Sequence, residues 1–343
     1  MSEIEYQFDH ERDHMEDINK IDYRGLQSEG DYPLLLNINL SSRQADNNLE
    51  KVTLNDIARV LAHMDGMTPQ DGVLIASLAD ASATAIGYSR LGWYSSSADT
   101  RLYYQVSFLR SEYRGRGYWQ QMVKQNEYRL SEVAQKHSSI PQRFFQAWAT
   151  DKQKDWISVL ESMGYQVARR FNNMLFDLRD IPTTALPAGF EILPVRPQQM
   201  HSIWEAQKEM NDGLFENVAE DWQEDKFPAW LEDPERDPRY WQIAWACDQL
   251  AGMVLVRIDA RENEGRKRKR GYTEHIYVRP QWRKRGLASA LITRSLQVLQ
   301  EQGVQEAELG VDSENESAAF KLYQKIGYKT ASIDIWFRKK IEP

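Results

Sequence analysis

A short basic, glycine-containing turn lies where a predicted strand meets a predicted helix. The strand is the alternating run from Tyr272 to Val278, and the turn is RKRGLA, from Arg283 to Ala288. A helix that begins here directs its unpaired backbone N–H groups and the positive end of its dipole at the turn. Gly286 lets a ligand approach the backbone closely, and Arg283 and Arg285 add charge-assisted donors. The turn is therefore a candidate binding site for a phosphate or another anion.

A second stretch, VDSENESAAFKLYQKIGY from Val311 to Tyr328, makes the pattern specific. Together the two stretches resemble the GNAT superfamily of acyl-CoA-dependent N-acyltransferases. That family's pyrophosphate motif is Arg or Gln, two residues, Gly, one residue, and Gly or Ala, which Arg283, Gly286 and Ala288 match. The residues of the second stretch that match in order and spacing are Asn315, Ala318, Ala319, Leu322, Tyr323, Gly327 and Tyr328.

The resemblance implies an α/β (α+β) fold in which each domain has a mixed, mostly antiparallel central sheet flanked by helices. A cofactor cleft is expected where the fourth and fifth strands splay apart. It also implies acetyl-CoA as the acyl donor, with Tyr323 giving a proton to the leaving sulfur, a role that suits a weakly acidic phenol. The residues implied in binding acetyl-CoA are Ile276, Tyr277 and Val278 of the strand, Arg283, Lys284, Arg285, Gly286, Leu287, Ala288 and Ser289 of the turn, and Asn315.

The general base that accepts the proton of the amine is less evident. Regular alternation places Glu274 on one face of the strand with Ile276 and Val278. His275 then takes the other face. Glu274 is the first candidate, acting directly or through water, and His275 or an ordered water is the alternative. Some relatives that modify ribosomal proteins carry a Glu five residues before the Asn, where this chain has Gly310.

Composition excludes several classes of function. The chain has 343 residues and a formal net charge of −8, which argues against general nucleic-acid binding. No apolar run reaches the length of a membrane span, and the acidic start lacks the features of a signal peptide, so a cytoplasmic protein is expected. The single cysteine, Cys247, excludes an internal disulfide, and its apolar neighbours predict a buried side chain. The histidines do not cluster apart from His10 and His14, so no metal site is predicted.

The order of elements occurs twice, which predicts two domains. In the first half, the run YYQVSFL from Tyr103 leads into RGRGYW, Arg114 to Trp119, and Gly164-Tyr165 corresponds to Gly327-Tyr328. The predicted organisation is a polar leader at 1–20, an amino-terminal GNAT-like domain at 21–180, a link at 181–189 and a carboxy-terminal catalytic GNAT domain at 190–343.

The first copy departs from the family pattern where the chemistry occurs. Trp119 replaces the small residue of the turn, so a bulky ring stands where a pyrophosphate approaches the helix. Leu160 stands in the place of Tyr323, and Lys152 in the place of Asn315. The first copy is therefore predicted to be a GNAT fold that lacks the transfer step.

Other runs predict the elements around the two turns. Helices are expected at Thr53 to Met64, which opens with a threonine cap, and at Gln198 to Met210. The apolar run Leu34 to Leu40 is a candidate first strand, and Leu250 to Ile258 is predicted to pair with the strand before the turn. The basic run Arg266 to Arg270 is predicted to be a solvated hairpin loop, with steering of the cofactor as the alternative.

The acceptor is the part of the reaction that the sequence specifies least. The segment from Trp204 to Trp245 is rich in tryptophans and acidic residues. If these residues line a site, they suit an amine-bearing or polycationic acceptor. The alternative is that the tryptophans form a core and the acidic residues a solvated helix face. The expected function is transfer of an acetyl group to a primary amine of a small molecule or peptide by direct attack. A protein N-terminal or lysine acetyltransferase and a non-catalytic acyl-CoA-binding sensor or scaffold are the alternatives. No membrane or nucleic-acid partner is expected, and the oligomeric state is left open.

Overall fold

A computed structural model describes residues 20–48, 51–211, 222–232, 236–260, 263, 268–312 and 318–342. The chain divides into two compact units, one of Met1–Ala168 with Ile335–Pro343 and the other of Arg169–Asp334. The sequence places a link at 181–189, whereas the units change over at Ala168 and again at Asp334. The difference arises because two long strands, Gln166–Asp177 and Lys329–Lys340, each begin in one unit and end in the other.

The first unit is an α/β unit built on one sheet. Its strand order is β1-β2-β3-β4-β5, with the end of the last strand, β12 (Lys329–Lys340), beside β5. The strands β4 and β5 are parallel, while β1 to β4 pair antiparallel. A helix, α4, makes the crossover that a parallel pair requires. In chain order the elements are β1 (Ile21–Gly25), α1 (Tyr32–Ala45), α2 (Leu54–Ala62), α3 (Pro69–Gly72), β2 (Val73–Leu78), β3 (Ala85–Ser97), β4 (Thr100–Leu109), α4 (Tyr118–Gln135), β5 (Gln142–Thr150), α5 (Lys154–Ser162) and β6 (Gln166–Asp177).

The predicted strand at Leu34 to Leu40 is wrong, because these residues belong to the helix α1. Pro33 lies in the first turn of the helix, where its missing N–H costs nothing. The buried positions Leu35, Ile38, Asn39 and Ser42 recur every three or four residues. This spacing follows one face of a helix. Apolar residues outside that face make the helical spacing hard to recognise in the sequence.

The second unit repeats the plan. Its strand order is β6-β11-β10-β9-β8-β7, where β10 and β11 are parallel and the other described pairs are antiparallel. The mixed, mostly antiparallel sheet predicted from the sequence is confirmed. After β6 the elements are β7 (Glu191–Ile192), α6 (Met200–Asn211), α7 (Phe227–Leu231), β8 (Gln242–Ala246), β9 (Gln249–Arg257), β10 (Arg270–Val278), α8 (Leu287–Glu301), β11 (Glu306–Asp312), α9 (Ala318–Ile326) and β12 (Lys329–Lys340).

Two apolar clusters cover the two faces of the second sheet. Met253 and Leu255 of β9 join one cluster, while Val254 and Val256 join the other, as alternation along a strand requires. The first, the tryptophan cluster, contains Trp204, Trp230, Trp241, Trp245, Met253 and Leu255. The second, the α8/α9 cluster, contains Val254, Val256, Val278, Leu291, Leu296, Tyr323 and Tyr328. Most tryptophans of the segment 204–245 therefore belong to a core.

Two further expectations from composition change in the structure. Cys247, predicted to be buried, is exposed, because the chain turns between β8 and β9 directly after Ala246. Arg270, from the basic run, begins β10 and pairs with Glu306 at 2.7 Å and with Glu308. Arg266 and Lys267 lie outside the described residues. Among the helices that the structure describes, none has the length and hydropathy to cross a membrane.

Candidate active site

The turn between β10 and α8 has the backbone geometry of an anion site. A 3₁₀ turn, Pro280–Trp282, precedes it, and Gly286 caps α8 with a φ of 83°. Lys284 also has a positive φ, of 60°. The first backbone N–H of the helix with an internal partner is that of Ala290, which donates to the Gly286 carbonyl at 3.2 Å. Within the described chain, the backbone N–H groups from Lys284 to Ser289 have no backbone acceptor, so several donors meet at one exposed point.

The two arginines of the turn are held in different ways. The Nε of Arg283 donates to the Val278 carbonyl at 2.9 Å, and its guanidinium lies 5.9 Å from the centre of the Tyr277 ring. The guanidinium of Arg285 lies 5.1 Å from the centre of the Trp282 ring. Both residues are exposed. Arg283 therefore ties the turn to the end of β10 while its terminal nitrogens stay at the surface.

The strands on either side of the expected cleft separate. β10 and β11 are paired from Arg270–Tyr272 to Glu306–Glu308, and no further pairing between them occurs among the described residues. Among the strands that the structure describes, none therefore pairs with the rest of β10 on its β11-facing edge. Ile276, Tyr277 and Val278 lie on this part of the strand, as the resemblance implied.

The predicted faces of β10 are wrong, because the strand contains a β-bulge. Glu274 pairs with Leu255 and Tyr277 with Met253, so β10 has one residue more than β9 in this interval. His275 lies in the bulge with a φ of 46°. After the bulge the alternation is reversed, which puts Tyr277 on the face of Glu274.

Ile276 and Val278 accordingly lie on the opposite face from Glu274. Ile276 packs against the α8/α9 cluster and Val278 belongs to it. Thr273 shares that face, because its hydroxyl lies 2.9 Å from that of Tyr328. Regular alternation cannot anticipate an inserted residue, and nothing in the sequence of β10 marks the position of this one.

Tyr323 lies on α9 within the α8/α9 cluster and is 7% exposed. Its ring centre lies 6.2 Å from that of Tyr328. Burial raises the pKa of the Tyr323 hydroxyl to about 12, because the phenolate would lose hydration. The group therefore holds its proton at neutral pH. Tyr323 shares a face and a cluster with Ile276 and Val278, and Glu274 lies on the other face.

Glu274 and His275 line one pocket of about 160 Å³ beside the bulge, together with Arg236, Trp241 and Arg257. The Nε of Arg257 donates to the Glu274 carboxylate at 3.1 Å. Burial, and secondly the charge of Arg236, lowers the pKa of His275 to about 4. The imidazole is therefore neutral near pH 7 and is a weak base.

Three further residues predicted to bind the cofactor form the first turn of α8. Leu287 is buried under the first turn of α8, whereas Ala288 and Ser289 are partly exposed. Asn315 lies outside the described residues. The positive φ of Lys284 could be predicted from the sequence, because the corresponding residue of the first half is Gly115, whose φ is 72°. No such sequence signal marks Arg257, because the register of β9 against β10 brings it to the pocket, or Arg236, which reaches the pocket from the loop before β8.

The first unit contains the same turn with different surroundings. The guanidinium of Arg114 pairs with Asp46 at 2.6 Å, and Gln153 also donates to Asp46, at 3.0 Å. β4 pairs with β3 without a bulge from Gly87 to Ser95 and remains paired with β5 as far as Gln105. An internal carboxylate thus lies beside the turn of the first unit, and β4 and β5 are paired at six positions where β10 and β11 are paired at three.

Tryptophans fill the corresponding groove of the first unit. Trp119 and Trp156 are both buried, with ring centres 4.6 Å apart. Trp119 stands at the position of Ala288. The N–H of Tyr165 bonds the Leu160 carbonyl at 3.0 Å, as the N–H of Tyr328 bonds that of Tyr323, so Leu160 corresponds to Tyr323 and Trp156 to Ala319. Two alanines of the second unit are therefore two tryptophans in the first.

Comparisons with known proteins agree with this geometry. Mycothiol acetyltransferase of Streptomyces coelicolor is 28% identical over 169 residues, which are 46% of this chain and 49% of that protein. The enzyme of the same name from Thermobispora bispora is 26% identical over 161 residues, which are 46% of this chain and 53% of that one. The chain thus spans about half the length of these curated relatives.

Solved structures share the fold over most of the chain. A GCN5-related N-acetyltransferase from Sphaerobacter thermophilus superposes with a TM-score of 0.72 at 22% identity, covering 94% of this chain and 96% of that one. A tandem GNAT protein from the clavulanic acid biosynthesis pathway has a TM-score of 0.64 at 15% identity and covers 94% and 99%. Residues 198–328 match the model of the Acetyltransferase (GNAT) family. These residues contain the turn before α8, the bulge and Tyr323. Because they match the family model, this part of the chain is a GNAT acetyltransferase domain and belongs to a family of acyltransferases.

Proposed function

We propose that the second unit transfers an acetyl group from acetyl-CoA to a primary amine by direct attack. The observation that carries the proposal is Tyr323, a protonated phenol buried on the face of the separated strand and absent from the corresponding site of the first unit. A domain that only bound acyl-CoA would need the turn and the separated strand, but it would not need a proton donor there.

The residues present fit the acyl donor. The amides from Lys284 to Ser289, with Arg283 and Arg285, would hold the pyrophosphate, and small residues at Gly286 and Ala288 leave room for it. The unpaired edge of β10 at Ile276 to Val278 would hold the pantetheine arm by backbone hydrogen bonds. Asn315 is proposed to bind the same arm. Acetyl-CoA supplies an acetyl group activated as a thioester.

Two side chains of the protein then take part in proton transfer, one as donor and one as acceptor. The amine nitrogen forms a bond to the thioester carbonyl carbon as the carbon–sulfur bond breaks, and the Tyr323 hydroxyl gives its proton to the departing thiolate. Glu274 takes the proton that the amine loses, directly or through water. His275 is the alternative, and because burial lowers its pKa to about 4, its imidazole is a weaker base than an exposed histidine.

A small-molecule amine is the proposed acceptor class. The curated relatives carry the name mycothiol acetyltransferase, and mycothiol is a small molecule. The repeated order of elements in the sequence also resembles mycothiol synthase. The pocket at the bulge holds about 160 Å³, close to the volume of roughly 150 Å³ that accommodates a benzene-sized ligand. A folded protein terminus or a lysine on a protein surface would need a longer, open groove.

A panel of amines, assayed by release of free thiol from acetyl-CoA, tests the proposal. At least one amine should raise thiol release far above the rate without acceptor and yield the N-acetyl product by mass. Binding of acetyl-CoA with slow thioester cleavage that no amine stimulates would contradict it and favour an acyl-CoA sensor.

A further inference from the structure

Arg90 of β3 lies on the face of the first sheet that α1 and α2 cover. It shares this face with Tyr88, two residues before it, and its cross-strand neighbours are Val73 of β2 and Val106 of β4. Tyr88 and Val73 belong to the apolar cluster between the sheet and the helices. Arg90 is partly exposed, so a ligand can reach its guanidinium from solvent. A charged side chain therefore stands among apolar ones on this face.

Among the residues that the structure describes, no carboxylate pairs with Arg90. The groups that act on its charge are the hydroxyls of Tyr88 and Tyr104 and the guanidinium of Arg43. Burial lowers the pKa of Arg90, and the positive charge of Arg43 lowers it as well. By contrast, the little-exposed Arg114 pairs with a carboxylate at 2.6 Å. Because an arginine does not lose its proton in a protein, the charge of Arg90 is left for a ligand or water to meet.

Two acids of the same region act on other groups. The backbone N–H of Asp65 donates to the Tyr104 hydroxyl at 3.3 Å, so this residue lies beside the tyrosine. The carboxylate of Asp56 pairs with Arg59 at 3.2 Å. Neither acid is among the groups that act on Arg90.

Strand register identifies the residue of the second unit that corresponds to Arg90. Gly87, three residues before Arg90, pairs with the last residue of β4. Gly252, three residues before Leu255, pairs with the last residue of β10. Arg90 therefore corresponds to Leu255, which lines the pocket at the bulge.

The two units carry different charges at this place. In the second unit, Glu274 is the neighbour of Leu255 on β10 and is matched by Arg257. In the first unit, the neighbour of Arg90 on β4 is Val106, so an aliphatic side chain stands in the place of the acid. The first unit thus has a guanidinium here without a matching carboxylate. An anion is the ligand that such a place favours.

We propose that the first unit binds a small carboxylate at Arg90, at the place that corresponds to the acceptor pocket of the second unit. The guanidinium fork offers two N–H donors to the two oxygens of a carboxylate. The Tyr88 hydroxyl accepts a hydrogen bond from Asn39 at 3.1 Å and can donate its own proton. Val73 and Val106 suit an aliphatic or aromatic body on the acid. A phosphate, with more charge and more oxygens, would find too few donors here.

Matched acids and amides test the proposal on the full chain, and no turnover is needed. Isovalerate and benzoate are compared with isovaleramide and benzamide by ligand-observed NMR titration. We expect each acid to bind about tenfold or more tightly than its amide, as for a charge-assisted pair. Equal binding of the acids and their amides would overturn the proposal.

Variants of Arg90 separate this site from the basic turn of the second unit. Arg90→Gln should lower the affinity for the acids about tenfold, to that for the amides, and Arg90→Lys should keep part of it. The matched control is Arg59→Gln, an arginine of α2 whose side chain is 50% exposed, and it should leave the affinities unchanged. The proposal fails if the two Gln variants bind the acids equally well. It also fails if Arg90→Gln weakens binding of inorganic phosphate more than binding of the acids.

Arg90→Leu introduces the residue of the second unit and distinguishes a binding role from a structural one. Removal of an unmatched, partly buried charge should raise the melting temperature by roughly 2–4 °C, and the preference for acids should disappear. An arginine that served only the fold would stabilise it. A lower melting temperature of Arg90→Leu would therefore refute the unmatched charge on which the proposal depends.

Discussion

Burial keeps the Tyr323 phenol in the protonated form, which a proton donor must have before it reacts. With its pKa raised to about 12, it stays protonated across the range in which an amine can be neutral. Tyr323→Phe keeps the ring and removes the proton. We expect turnover to fall by roughly 10²-fold or more, with acetyl-CoA affinity and melting temperature nearly unchanged.

Tyr328→Phe is the matched control for that variant. The Tyr328 hydroxyl is buried and bonds Thr273, so its loss should cost about 1 kcal/mol of stability while most of the turnover is retained. Near-full activity of Tyr323→Phe, with chemistry shown to limit the rate, would assign the proton to water instead.

His275 makes stability depend on pH. Its pKa is about 4 in the folded protein and about 6.5 in an unfolded chain, so between these values the unfolded chain binds the extra proton. The stabilising contribution is therefore complete above pH 6.5 and is lost as the pH falls toward 4, on the order of 2–3 kcal/mol. Urea unfolding at pH 7 and at pH 4.5 measures this loss.

His275→Asn isolates the effect, because asparagine tolerates the φ of 46° and does not titrate. The variant should lose less stability than the native protein between the two pH values. Parallel losses in both proteins would show that the titrating group lies elsewhere.

At the scale of elements, the turn before α8 depends on its glycine. In Gly286→Ala the new Cβ would meet only Pro187, at 3.9 Å, so space is not limiting, but a φ of 83° is strained for alanine. We expect a loss of about 1–2 kcal/mol and about tenfold weaker acetyl-CoA binding, as the amides leave their positions. Thermal unfolding and calorimetry measure the two effects.

Gly303, directly after α8, provides the control for that helix. Its φ is 73° and an added Cβ would meet nothing within 4 Å. Gly303→Ala should therefore lose similar stability without a change in cofactor affinity. Equal cofactor affinity in the two variants would remove the turn from the binding site.

Sequence patterns predicted some elements of this site and not others, for a physical reason. The turn, α8 and Tyr323 are local features, in which a few neighbouring residues determine the conformation. The division of β10 between two faces depends on how it pairs with β9, and one extra residue at His275 reverses it. Arg257 reaches Glu274 only through that register. The sequence does not identify α1, because an apolar run of seven residues suits either a strand or a helix.

At the scale of the whole molecule, the two copies should differ in cofactor binding. In the first unit Asp46 neutralises Arg114, and Trp119 packs on Trp156 where the second unit has alanines. We therefore expect calorimetry to show about one molecule of acetyl-CoA per chain. A stoichiometry near two would contradict the prediction that the first unit does not bind the cofactor.

The strands that begin in one unit and end in the other affect the order in which the protein can fold. The sheet of the first unit is completed by the end of β12, where the Ile341 N–H bonds the Arg143 carbonyl at 2.9 Å. On the ribosome this segment emerges only after the entire second unit has been synthesised. Until then, the edge of β5 that β12 covers in the folded protein has no neighbouring strand. Such an edge can pair with a wrong strand. The first unit of the nascent chain therefore lacks one strand of its sheet until the second unit has been synthesised.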